Sequence, residues 1–320
     1  MPPSREVLDV PLRPVAGSRF QPTGFPDLGA ATFQKPNMAE DGTTTWTDAL
    51  LVESAQSMAN HLESTGWDVG EQGPVETLDG LPYVEVRHRE GDYLTSSRTE
   101  AHRLSSAFIR ESELDGTSMI EVLKDRLELV EDRPIAPREI ARQVFALDPL
   151  CLLHGVFFSD GKLPAQPKIA RAITGFVEAE DVRPAQSGGV KFDDVRHKNV
   201  EGGGSSEGYG TIPFHRTEYV AGRLTASFII DLAQIEAFGL PEPGAELLAD
   251  VARWEIRSLL DGGMRLRTAC DLEALSDELV LRDGTSFPTL DELSTRVRKG
   301  IDGVDGLLVQ RDPWVVEWQK

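Results

Sequence analysis

The chain has 320 residues, 40% of them apolar and 27% charged, enough to bury one large core or two modest ones, which excludes disorder of the whole. It carries 33 Lys and Arg against 53 Asp and Glu, a net charge of −20, a balance that argues against a protein whose whole surface coats a polyanion. Cys151 and Cys270 belong to no CxxC or Cys/His cluster, which excludes a disulfide framework and a structural zinc site. The expectation is a cytoplasmic protein without a membrane segment, because no run of about 18 apolar residues occurs and the first residues form no apolar leader.

In chain order, Val7 to Pro14 alternates like a strand, and its two prolines predict an edge position. A loop of turn formers follows from Arg19 to Gly29. Ala49 to Glu63 has apolar residues at helical spacing, ending at Gly66. Residues 67–145 mix turns with helical runs, notably Met119 to Val130, and are expected to form an inserted, mostly helical subdomain. Pro137 to Ala146 reads as a helix with Pro in its first turn, and Leu150 to Phe158 as a buried strand. From Arg183 to Gly210 glycine becomes dense (Gly188, Gly189, Gly202, Gly203, Gly204), the mark of a protruding hairpin or flexible loop. Glu218 to Leu232 reads as a strand, Ala245 to Leu260 as an amphipathic helix, Glu278 to Leu281 as a short strand and Leu290 to Val297 as a last helix.

With the Gly-rich arm and the insertion set aside, the order is strand, helix, strand, strand, helix, strand. That predicts an α+β chain with the ferredoxin-like βαββαβ fold shared by RNA-recognition modules. The palm is expected to be discontinuous, over 1–66, 146–182 and 213–285. The helical finger insertion is 67–145, the Gly-rich thumb hairpin 183–212 and a C-terminal extension 286–320.

No Walker-type phosphate loop, HExxH or GxSxG occurs, and the six histidines lack metal-ligand spacing. His154, inside an apolar run, reads first as a satisfied core residue. Asp27 and Asp41 could hold a divalent ion, or could be solvated loop acids. Anion binding has more support. Glu53-Ser54-Ala55-Gln56-Ser57 follows a long loop, and a helix beginning near Glu53 would aim free N–H groups and two hydroxyls at a phosphate, although plain N-capping reads equally well. Positive charge is gathered at Arg98 with Arg103, at Arg265 with Arg267, and along the arm at Lys191, Arg196 and Lys198. Between Arg183 and Arg216 five basic residues face four acids. Phe20, Phe25, Tyr209 and Phe214 border these loops, where they could stack on bases or anchor the chain.

At these residues the chain resembles a known family. Arg19-Phe20-Gln21-Pro22-Thr23-Gly24-Phe25-Pro26-Asp27-Leu28-Gly29, Leu50-Leu51-Val52-Glu53-Ser54-Ala55-Gln56-Ser57-Met58, Asp148-Pro149-Leu150-Cys151-Leu152-Leu153-His154-Gly155 and Glu207-Gly208-Tyr209-Gly210-Thr211-Ile212-Pro213-Phe214-His215-Arg216 are similar to the backbone (Cas-seven, RAMP superfamily) subunit of type I-G, formerly I-U, CRISPR effector complexes. The likeness runs from about residue 10 to about 275. It implies a non-catalytic subunit of a Cascade-like antiviral surveillance complex that polymerises along the CRISPR guide RNA. Its partners would be that RNA, the target DNA strand, neighbouring copies of itself and other subunits of the complex, with no cofactor and no metal. RNA contacts are implied from Arg19, Gln21 and Thr23, from Ser54, Gln56 and Ser57 at the helix start, and from Arg98 and Arg103. The arm would add Lys191, Arg196, Lys198, Tyr209 and His215, and the late loop Arg265 and Arg267. Related subunits carry Ser-Ser-Gln-Ser at the helix start, so Ala55 is a departure, and Ala59-Asn60 replaces their Lys-Arg. The alternative is a metal-dependent ribonuclease subunit of the type III kind, with Asp27 or Asp41 as the loop aspartate. A backbone subunit needs only a few phosphate contacts per copy, which reconciles RNA binding with the acidic total.

Overall fold

The structure is a computed structural model, and residues 4–25, 29–191, 212–304 and 306–319 are described. The elements that position the site begin with β1 (Arg5–Pro14), the hairpin β2 (Thr32–Met38) and β3 (Thr44–Glu53), and α1 (Ala55–Ser64). Then come β4 (Val84–Arg87), β5 (Tyr93–Ser96), β6 (Ser112–Leu114), β7 (Thr117–Ser118), α2 (Met119–Arg126), α3 (Pro137–Leu147) and α4 (Leu150–His154). A short ribbon, β8 (Val156–Phe157) and β9 (Lys168–Ile169), leads into the long strands β10 (Ile173–Lys191) and β11 (Ile212–Asp231). The chain ends with α5 (Glu242–Asp261), β12 (Met264–Arg267), β13 (Cys270–Ala274), α6 (Leu290–Gly303) and β14 (Trp314–Trp318). Among the described residues no helix is long and apolar enough to cross a membrane.

This is a mixed α+β chain with antiparallel sheets. The larger sheet has the order β12-β13-β1-β11-β10-β3-β2. Taken in sequence, β1, α1, β10, β11, α5 and β13 follow a β-α-β-β-α-β path, and their four strands lie side by side in the order last, first, third, second, all antiparallel. Alternation explains the face they share. Leu8, Val10 and Leu12 stand opposite Phe228, Ala226 and Leu224, all buried, as the two-residue period of a half-covered sheet requires. Met58, Ala59 and Leu62 of α1 and Leu248, Val251 and Ala252 of α5 are buried with them. Helix α1 lies close to β10 because position 175 has no side chain. A Cβ at Gly175 would fall 2.7 Å from Phe228 Cδ1 and 2.8 Å from Met58 Cγ.

Four sequence expectations give way here. β1 is an interior strand, between β11 and β13. The Pro11 carbonyl accepts from Leu275 N–H at 3.0 Å. Because the N–H and C=O of a strand residue point the same way, the donor that proline lacks faces this irregular segment and costs the β1–β11 ladder nothing. Pro14 lies beyond the last pair of that ladder, Leu12 with Leu224. Second, the helix expected from Ala49 starts after Glu53, because Ala49, Leu50 and Leu51 pair with β10 on one side and Ala49 and Leu50 with β2 on the other. Third, the apolar run from Leu150 is a helical turn as far as His154, and only Val156–Phe157 is strand. All five residues of α4 are buried, which erases the periodicity that tells helix from strand, and the Asp148 carboxylate starts the turn by accepting from Leu150 N–H at 3.1 Å. Fourth, Glu278 to Leu281 makes only an isolated bridge, Val280 with Ser286.

Residues 67–145 hold strands as well as helices. β7, β6, β14, β4 and β5 form a second sheet in that order, and β14, from the C-terminal extension, joins β4 in parallel, Val316 opposite Val86. The Gly-rich arm begins as strand, paired continuously to Lys191 opposite Ile212. Its tip, 192–211, lies outside the described residues, as does Asp27.

Candidate nucleic-acid interface

Four separated segments meet at the β3–α1 junction. Ser54 is the N-cap of α1, in extended conformation, and its Oγ accepts from Ser57 N–H at 3.2 Å. No acid occupies the first turn, so nothing there opposes an anion approaching the positive end of the helix. Just ahead of the cap, the Glu53 side chain is fully buried and ion-pairs with the Arg267 guanidinium. His61 Nε2 also approaches Glu53, at 3.8 Å, but burial lowers the proton affinity of His61, so Arg267 carries the pairing.

Arg267 also ties the segments together. Its Nη1 donates to the carbonyls of Gln21 at 2.9 Å and Val52 at 3.1 Å. Gln21 N–H donates to Ala269 O at 2.7 Å and Thr23 N–H to Val52 O at 2.8 Å. β12 and β3 are separated by four strands in the sheet order, so this contact requires the sheet to curl until its two sides meet across the Gln21–Thr23 loop. Phe20, buried, pairs with Tyr219 of β11. Burial draws the Arg267 guanidinium below its usual pKa, with the Cys270 thiol opposing, and burial raises the Cys270 thiol to about 11.

On the β11 side a cleft of about 540 Å³ opens between Gln21, Thr23, His215, Arg216 and Tyr219. Arg216 and Arg19 both reach the buried Glu218, at 2.8 and 3.6 Å, and Arg216 Nη1 lies 3.5 Å from Gln21 Oε1. The carboxylate holds Arg216 at the cleft wall and pairs with Arg19 as well, so its own charge is compensated.

The expected site residues therefore divide. Arg19 is tied to Arg216 through the shared Glu218, and Gln21, Thr23 and His215 line the cleft. Ser54, Gln56, Ser57 and Arg267 stand beside it at the helix start, with Gln56 exposed. Arg265 is exposed on β12, separated from the inward Arg267 by a register shift, and Lys191 ends β10. Arg98 and Arg103 do not join them. The Arg98 side chain is buried and ion-paired to Asp148 at 2.8 Å. Arg103 grips Glu63 with two bonds of 2.6 and 2.7 Å and donates to Gly155 O. Arg98 compensates the buried Asp148 and Arg103 the part-buried Glu63, and neither arginine lines the cleft. Arg196, Lys198 and Tyr209 lie outside the described residues. Sequence reading missed Arg171, whose Nη1 donates to Ala55 O at 3.0 Å beside the helix start, and the pairing roles of Glu53 and Glu218. A lone arginine between Ala170 and Ala172 offers no signal, whereas an acid immediately before a cap serine could have been noticed.

Asp41, the described candidate for a loop aspartate, is exposed and accepts from Thr43 N–H at 2.8 Å, which lowers its pKa. Among the described residues no group of three or more His, Cys, Asp or Glu is placed to hold a metal ion.

Among curated proteins none matches the chain significantly. Its structure is similar to a chain of a CRISPR RNA-guided surveillance complex, pre-nicking, at 12% identity and a TM-score of 0.39, with 87% of this chain and 75% of that chain covered. Residues 7–184, more than half of the sequence, match the model of the CRISPR-associated protein GSU0053 family, and the chain belongs to that family.

Proposed function

We propose that the chain is a non-catalytic, RNA-binding backbone subunit of the type I-G kind, which lines up in copies along a CRISPR guide RNA, beside other subunits, and holds it for pairing with target DNA. The observation that carries this reading is the convergence of residues 19–23, 52–57, 215–219 and 265–269 on one cleft and one helix start. Within this reading the β-α-β-β-α-β unit is a ferredoxin-like, RNA-recognition-like palm. Residues 67–145, completed by β14, are the finger, and the arm between β10 and β11 is the thumb.

The chemistry suits a sugar–phosphate backbone. The cap takes the Ser57 N–H and leaves the N–H groups of Ala55 and Gln56 to meet a phosphate. Gln56, His215 and Arg265 add exposed donors, and contacts from such groups to phosphate and ribose position RNA without selecting a sequence. The net charge of −20 is then carried by the rest of the surface.

The test is assembly of the purified protein on a guide RNA. Replacing Ser54, Gln56 and Ser57 together by alanine should weaken assembly about tenfold or more, by the loss of two or three backbone contacts, while urea unfolding shifts only by the cap's worth of about 1 kcal/mol. A variant that assembles normally sinks the interface. Complementary RNA added with Mg²⁺ should stay intact, and periodic cleavage abolished by Asp27→Ala would overturn the non-catalytic assignment.

A further inference from the structure

The ribbon β8–β9 carries a feature that the palm reading leaves unused. From Val156 to Ala172 the sequence has one acid, Asp160, against Lys162, Lys168 and Arg171. Asp160 is taken by an ion pair with Arg110, and none of the three cations makes an ion pair among the described residues. Phe157 stands opposite Lys168 in the ribbon and is 48% exposed. The Lys168 Nζ lies 6.0 Å from the ring centroid, at the outer limit of cation–π contact, so it leaves ring surface open.

The strip is continuous with the helix start. Arg171 reaches Ala55 O, and Lys168 lies three residues before it, about 10 Å along an extended chain. An exposed aromatic beside unpaired cations, adjoining a helix N-terminus, matches what a single strand needs. Its phosphates repeat along a flexible chain and each base offers a face for stacking. An apolar partner would not call for three uncompensated cations.

We propose that Phe157, Lys162, Lys168 and Arg171 form a second contact for single-stranded nucleic acid, extending the interface past the start of α1 by stacking one base on Phe157 and holding flanking phosphates on the lysines. The proposal deepens the RNA-binding reading and rests on it. Either the guide RNA beyond the palm or a stretch of DNA strand has this chemistry.

Fluorescein-labelled oligo(U) and oligo(dT) 30-mers titrated with the full chain, at 50 and 200 mM salt, test it. Lys162→Glu with Lys168→Glu should weaken binding at least tenfold at the lower salt and reduce the slope of log K against log salt by about 1.4, or 0.7 per phosphate contact for single strands. Phe157→Ala should weaken it about fivefold or more with little change in slope. Loss confined to oligo(U) assigns the strip to RNA, and loss with oligo(dT) extends it to DNA; both support the proposal. Lys162→Gln with Lys168→Gln gives the same reading without added repulsion, and all variants are compared at matched melting temperature. Unchanged affinity and slope, in a protein whose binding the Ser54, Gln56, Ser57 triple alanine variant does weaken, overturns this proposal alone. A wild-type chain that binds neither oligonucleotide overturns the parent reading and this one together. Lysine variants that alter sedimentation of the nucleic-acid-free protein but not its affinity also overturn it, and assign the strip to an acidic protein surface such as the exposed Glu40 and Asp41 of a second copy.

Discussion

Replacing Arg267 by alanine should be among the most damaging single changes in the palm. Glu53 is fully buried, and the Arg267 side chain is 24% exposed, so the substitution strands a carboxylate in the interior while removing a partly solvated cation. Breaking a buried pair in this way typically costs about 3–5 kcal/mol. The two bonds to the carbonyls of Gln21 and Val52 are lost with it, which argues for the upper half of that range. A domain of ordinary stability, about 5–15 kcal/mol, would survive with a reduced margin. Urea unfolding followed by circular dichroism at pH 7 gives the number. Arg267→Met combined with Glu53→Gln removes both charges and should recover most of the loss, because the cost lies in the uncompensated carboxylate. The deficit of Arg267→Ala should also shrink on acidification, as the stranded carboxyl takes up a proton. A loss below about 1 kcal/mol, or one that ignores both pH and the second substitution, would show that water reaches Glu53 and that the clamp is not what joins the two sides of the sheet.

Other consequences can be read from the same geometry. His154 is buried with Nε2 2.9 Å from Glu255. Burial alone would lower its pKa, but Glu255 and then Glu63 outweigh burial and the opposing Arg103, and the net shift is upward from 6.5. A raised folded-state value gives stability that is complete below pH 6.5 and lost as pH rises through the folded value. Wild type should therefore lose stability as the pH rises above 6.5 relative to His154→Gln, whose profile in urea titrations should be flatter over that rise. Gly175→Ala should cost about 1–3 kcal/mol through overpacking against Phe228 and Met58, and a neutral effect in thermal melts would mean that α1 is free to withdraw from β10. Arg98→Ala strands the buried Asp148, whose pKa burial already raises against the pull of Arg98. It should lower stability by about 3–5 kcal/mol yet leave RNA affinity per folded molecule unchanged, and a selective loss of affinity would return Arg98 to the interface.

Of the β-α-β-β-α-β path, β1, α1, β11 and α5 were legible in the sequence because alternation or amphipathic spacing shows in them, whereas its second and last strands were expected at 150–158 and 278–281 and lie instead at β10 and β13. What could not be read was wherever burial or pairing is complete. α4, buried all round, has no period and passes for a strand. Ala49 to Glu63 satisfies a helical spacing, yet Leu50 and Val52 are at the same time alternate, buried positions of a strand flanked on both sides. The second sheet depends on β14 returning over two hundred residues to lie beside β4, and nothing in either local sequence announces that partner. The start of α1 at Ser54 entered only as an alternative to a helix from Ala49, although capping is local: a serine whose hydroxyl accepts the N–H three residues on is specified by a handful of neighbours.

The charge pattern shows why residue type alone was a poor guide to which cations the fold leaves unpaired. Arg98 with Arg103, and Arg265 with Arg267, look alike as sequence clusters. In the fold, Arg98 serves Asp148, Arg103 serves Glu63 and Arg267 serves Glu53, with Asp148 and Glu53 withdrawn from water and Glu63 part-buried. A chain with twenty more acids than bases has carboxylates to spare for its surface. Those that fall in the interior, however, claim arginines, because a buried anion without a partner is far costlier than an exposed ion pair is favourable. The cations left for a polyanion are the ones that no interior acid has claimed. Among the described residues these include Arg265 near the cleft and Lys162, Lys168 and Arg171 along the ribbon, and Arg171 is not flanked by another base in sequence. Their position is set by where the fold leaves them unpaired, so under the proposed reading a surface for nucleic acid is to be sought by subtracting ion pairs from the charge map rather than by scanning for basic runs.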